Sequence, residues 1–161
     1  MAGEDKKSEK GYTLMELLVT AAILAVVGGI AIEAFVSILR LGLRTKALRT
    51  LRQNASVIMD KVERSVRGAS DVADCGIGST TLFLRDNSGV TRLFECRDGG
   101  VVLTVGEGTG ESLNGSDVTV GECSFSCQQG EGMVVEFDFT LTHRLTRVEE
   151  SYRTFVSQRN Y

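Results

Sequence analysis

The chain has 161 residues, with 18 basic and 21 acidic side chains, one histidine, four cysteines and no proline. That length leaves room for one domain of modest core plus a long helix, and the net charge of −3 excludes a uniformly basic nucleic-acid binder. The lone His143, between Thr142 and Arg144, belongs to no phosphate loop, nucleophile elbow or zinc helix motif. No catalytic residue, cofactor or resident metal is expected.

Residues 1–11 form a short charged leader, MAGEDKKSEKG, in which Lys6, Lys7 and Lys10 balance Glu4, Asp5 and Glu9. An apolar run beginning at Tyr12 follows, and its fifth residue is the acid Glu16. A charged group at the bilayer centre costs about 2.5–3.5 kcal/mol, less near the interface, so an acid in such a segment points to function and a partner. No small-residue cleavage site follows the apolar run, as it would in a secretory signal. The expected cut lies before the run, after Gly11, where glycine lets a protease approach the backbone closely. Leu17 to Ile32 is short of the roughly 20 residues a span needs. Tyr12 to Met15 and Ala34 to Leu39 complete it, with Glu16 and Glu33 near the two interfaces.

The string Lys10-Gly11-Tyr12-Thr13-Leu14-Met15-Glu16-Leu17-Leu18-Val19 resembles the prepilin leader of type IV pilins and of type II secretion pseudopilins. The resemblance covers Lys10 to Phe35. It implies cleavage by a membrane prepilin peptidase between Gly11 and Tyr12, N-methylation of Tyr12, and pairing of Glu16 with the terminal amine of a neighbouring subunit. In lipid, an ammonium and a carboxylate are each costly alone and tolerable together. Tyr12 stands where the family usually has phenylalanine. Glu33 stands near the position of a helix-kinking proline in many major pilins, so a straighter helix and a minor subunit are expected. The implied partners are the peptidase, other pilin or pseudopilin subunits, the membrane and the cytoplasmic-membrane assembly platform.

From Ser37 the pattern becomes amphipathic. Leu41, Leu48, Leu51, Ala55, Ile58, Val62, Val66 and Ala69 recur at helical spacing, and Gly68 marks a stop. The chain therefore reads as a leader (1–11), a membrane or filament-core helix (12–39), an amphipathic stalk (40–69) and a β-rich extracytoplasmic head (70–161). Thr80 to Arg85 and Val90 to Cys96 flank Asp86-Asn87-Ser88-Gly89 as a hairpin. A second turn at Arg97-Asp98-Gly99-Gly100 leads to a strand over Val101 to Val105. Gly106 to Asp117 reads as an acidic, glycine-rich loop, followed by strands over Met133 to Thr142 and Tyr152 to Ser157. The fold class expected is α+β: one long helix packed against an antiparallel sheet, pilin-like. The closing segment, Tyr152 to Asn160, resembles the carboxy terminus of J-type minor pseudopilins and W-type minor pilins.

Cys75, Cys96, Cys123 and Cys127 all lie in the head. Four cysteines in an exported domain imply two disulfides, with three possible connectivities. Our reading pairs Cys75 with Cys96 and Cys123 with Cys127; a tetrathiolate zinc site lacks its C-x-x-C pairs. Disulfides place the head outside the reducing cytosol, with the leader inside. Lys and Arg counting points the other way, because Arg40, Arg44, Lys46, Arg49 and Arg52 follow the span. Residues 40–67 carry eight bases against two acids, and residues 68–161 seven against fourteen. The basic stalk suits anionic headgroups or acidic neighbours, and the acidic head disfavours DNA unless Arg144, Arg147 and Arg153 cluster. Glu107, Glu111, Asn114 and Asp117 offer oxygens for calcium, but at no EF-hand spacing. The functional expectation is a structural subunit of a pilus or secretion pseudopilus. The alternatives are a ligand- or DNA-binding tip pilin and a plain signal-anchored domain.

Overall fold

A computed structural model describes residues 12–73, 75–129 and 133–158. Its elements, in chain order, are α1 (Leu14–Arg67), β1 (Ala69–Ala73), β2 (Thr81–Asp86), β3 (Thr91–Arg97), β4 (Gly100–Val105), β5 (Glu111–Ser112), β6 (Val118–Gln129), β7 (Met133–His143) and β8 (Glu149–Ser157). The chain divides into two compact units between Gly42 and Leu43.

The first unit contains the amino-terminal half of α1. Thr13 caps the helix: its hydroxyl accepts from the Glu16 amide at 3.2 Å, and its carbonyl accepts from the Leu17 amide. Beyond the cap, the segment has the length and apolarity to cross a membrane.

In the second unit, the rest of α1 buries Ala47, Leu51, Ala55, Ile58, Val62 and Val66. Steps of three and four keep these residues on one face. Leu41, expected in this stripe, is 66 % exposed, and Leu48 is only half-buried while Ala47 is buried. The helix closes with a bond from the Gly68 amide to the Arg64 carbonyl at 3.1 Å. A Cβ at Gly68 would crowd that carbonyl at 3.3 Å.

The strands form two antiparallel sheets rather than the single sheet expected: β1-β2-β3-β4-β5 and β6-β7-β8. Asp86 organises the β2–β3 turn, accepting from the Ser88 hydroxyl and the amides of Ser88 and Val90. The Ser88 hydroxyl bond, helped by Arg92 and those amides, lowers the Asp86 pKa to about 2. The β3–β4 hairpin turns at Asp98 and Gly99, both with φ above 50°, as a two-residue turn with left-handed central residues requires. The expected loop over 106–117 contains the short strand β5. It is tied to the helix by a 2.7 Å bond from the Gly115 amide to Asn54 Oδ1.

One core joins the helix stripe to both sheets. Its centre is an aromatic ladder in which Phe125 stacks on Phe137 at 4.5 Å, Phe137 on Phe139 at 4.6 Å, and Phe139 on Tyr152 at 5.4 Å. Phe137 is fully buried and touches two other rings. Phe137→Ala is expected to cost about 3–5 kcal/mol through lost burial and a residual cavity. Urea unfolding of the full-length protein in detergent, followed by circular dichroism, measures it; a loss below about 1 kcal/mol would remove the ladder from the centre of the core.

The structure changes the expected disulfide pairing. Cys75 bonds Cys127, and Cys96 bonds Cys123. Cys123 and Cys127 lie on one strand, β6, where four residues span about 13 Å. A bridge needs Cα atoms within about 7 Å, so a Cys123–Cys127 bond is impossible there. β6 instead meets the segment before β2 through a bridge between Ser79 and Phe125. Cys123 and Cys127, on either side of Phe125, each reach a cysteine from the first sheet or the connection leading into it.

Candidate functional site: the capped apolar helix

Gly11, one half of the expected cleavage site, lies outside the described residues. Tyr12, the other half, is 83 % exposed at the head of α1. Glu16 sits in the first helical turn, where a carboxylate complements the partial positive charge of the helix end. Thr13 was not singled out as functional in the sequence, yet Thr13-Leu14-Met15-Glu16 has the spacing of a capping box. That spacing was the available signal. The cap and the acid are one local device: Thr13 fixes where the helix begins, and so where on the first turn Glu16 projects.

From Leu14 to Leu41 the helix keeps its large apolar side chains exposed, among them Leu17, Ile23, Leu24, Val27, Ile30, Phe35 and Ile38. They surround the helix instead of forming a stripe. A soluble monomer does not ordinarily present a continuous apolar cylinder to water, and a helix apolar all round needs lipid or other helices about it. Arg40, Arg44, Lys46 and Arg49 follow, all exposed. Arg52 engages Glu150 at 3.3 Å, and Glu150 also accepts from the Tyr152 hydroxyl at 2.9 Å. Burial, reinforced by that bond, pushes the Tyr152 pKa upward.

The other candidates from the sequence do not converge on this site. Asn114, in the acidic loop, uses its amide oxygen on the Val101 amide and the Ser112 hydroxyl. Among the described residues no group of three or more histidine, cysteine or acidic side chains is placed to hold a metal ion. His143 Nδ1 contacts the Thr146 hydroxyl at 3.1 Å within its own turn. Arg153 is engaged by Asp138 and Glu136, which leaves it poorly suited to phosphate.

Comparison with known proteins adds to this geometry. Residues 6–32 match the family described as the prokaryotic N-terminal methylation motif. Two fimbrial proteins of Pseudomonas aeruginosa are each 26 % identical to the chain over 122 residues, covering 71 % of this chain and 79 % of the relative. No solved structure matches significantly. With a match to the methylation motif, an apolar helical segment and, in the second unit, β-sheets packed on the rest of α1, the chain is a type IV pilin-like protein.

Proposed function

We propose that this protein is a minor pilin or pseudopilin: a structural subunit cut by prepilin peptidase between Gly11 and Tyr12, N-methylated on Tyr12, and built through α1 into the tip or initiating complex of a type IV pilus or type II secretion pseudopilus. The pilin family is structural, and no catalytic role is assigned. The observation that carries this reading is the exposed apolar cylinder of α1 with a single acid in its capped first turn. Lipid satisfies the cylinder before assembly and neighbouring helices satisfy it afterwards. Glu16 then has one chemically matched partner, an amine freed by cleavage on an adjacent subunit.

The orientation that fits places the leader in the cytoplasm and the disulfide-bonded unit outside it, since disulfides persist in oxidising compartments. This arrangement runs against the positive-inside tendency of Arg40 to Arg52.

Intact mass of the protein from membranes, with and without prepilin peptidase, tests the proposal. The expected product lacks residues 1–11 and carries one added methyl group on Tyr12. Gly11→Ala is expected to block processing, because a side chain at that position obstructs close approach to the scissile backbone. A full-length chain in both membranes would reduce the protein to a signal-anchored domain.

A further inference from the structure

The apolar cylinder contains a second acid. Glu33 lies 17 residues after Glu16, about 25 Å along the axis, between the exposed apolar residues Ile30, Ile32, Phe35 and Val36. Among the described residues no side chain forms an ion pair with it. Its neighbours on the same helix face, Gly29, Ile30, Val36 and Ser37, offer no cation. With Glu16 at one boundary of a hydrocarbon core about 30 Å thick, Glu33 falls about 5 Å inside the other, where a lone carboxylate is costly.

The first cation along the same face is Arg40, seven residues on. It is about 10 Å away along the axis, and helical side chains all lean toward the amino terminus, so one helix does not close the pair on itself. We propose that Glu33 is a second intermolecular charge-pairing site, taking Arg40 of an adjacent copy of this chain. A neighbour displaced by one to two turns, about 6–10 Å, brings its Arg40 level with Glu33. The helix is thus self-complementary in charge at its outer end. Glu16 and Arg40 lie about 120° apart around the axis, so the pair at each end of the cylinder engages a different neighbour. Together the two pairs fix stagger as well as contact.

This inference rests on the assembly reading above, and the test separates the two. Two tagged full-length versions are co-expressed, one carrying Ile30→Cys and the other Ser37→Cys; these positions share the seven-residue offset of Glu33 and Arg40. The four native cysteines are already paired. Mild oxidation is expected to give a mixed dimer, whose yield falls about tenfold when both copies carry Glu33→Gln or Arg40→Glu, for a pair worth at least one decade in association. The yield is expected to recover when both copies carry Glu33→Arg together with Arg40→Glu. An absent dimer, a yield unchanged by Glu33→Gln, or no recovery in the exchanged chain overturns the inference. The last two would leave Arg40 facing lipid headgroups instead. If processing and Glu16-dependent incorporation persist in those samples, the assembly reading survives; an uncut chain ends both.

Discussion

Replacing all four cysteines by serine is expected to bring the β-rich unit to the edge of unfolding. The Cys75–Cys127 bridge closes a separation of 52 residues and Cys96–Cys123 one of 27. Loop-closure entropy assigns them about 4 and 3.5 kcal/mol taken singly. The loops are nested, so the inner bridge shortens the chain that the outer one constrains, and together they contribute about 7 kcal/mol. A domain of this kind has roughly 5–15 kcal/mol in all. Urea unfolding of the full-length chain in detergent, with and without reductant, measures the loss. Cys96→Ser with Cys123→Ser alone is expected to cost about 2–4 kcal/mol. A midpoint that does not move on reduction would mean that packing between the sheets suffices without the covalent ties.

Glu16→Ala is expected to leave cleavage after Gly11 intact and to reduce incorporation into filaments by up to about a hundredfold. The ceiling is the cost of about 2.5–3.5 kcal/mol for an uncompensated charge at the bilayer centre, taken at about 1.4 kcal/mol per decade, and a site near the interface falls below it. The substitution spares the cap, because Thr13 accepts from the Glu16 backbone amide and not from its side chain. Helicity by circular dichroism should therefore be unchanged, and intact mass should show the processed product. The readout is the fraction of processed subunit in sheared filaments against membranes. Equal fractions for Glu16→Ala and the native protein would remove charge pairing from the assembly step.

How far the sequence could be read depended on whether each segment kept one period. In α1, Leu51, Ala55, Ile58, Val62 and Val66 repeat without a break, and each is buried. Leu41 continues the same arithmetic but belongs to the apolar cylinder, where periodicity loses its meaning because every side is apolar. The two hairpins of the first sheet were visible because Asp86-Asn87-Ser88-Gly89 and Asp98-Gly99 are turn chemistry.

β6 gave no such signal, although it is the longest strand. Val118 and Val120 point inward, then a bulge places Gly121 and Glu122 opposite Thr140, and the inward set becomes Cys123, Phe125 and Cys127. One extra residue reverses the phase of the alternation, so no single period-two pattern runs through the strand. β1 has the same irregularity between Ala69 and Asp71. The disulfide reading failed for this reason: with no strand read over 118–129, Cys123 and Cys127 looked able to meet. At the amino-terminal end, Glu16 stands out in the sequence as an acid in an apolar run, and it lies in the first turn of α1. Thr13 was hidden because threonine is unremarkable until its spacing to Glu16 is noticed.

The nested bridges also limit what tension could do to the proposed subunit. A filament under load pulls on its subunits, and a β-domain yields by paying out chain. Here the stretch between Cys75 and Cys127 is bypassed by a covalent shortcut, withholding about 170 Å of contour at roughly 3.3 Å per residue. Among the described elements, α1 and β1 on one side of the closed loop, and β7 and β8 on the other, lie where chain can be drawn out. In the proposed filament the protein would therefore act under traction as a short tether ending in a knot that stretching cannot open, and reducing that knot would change its reach before it changed its shape at rest.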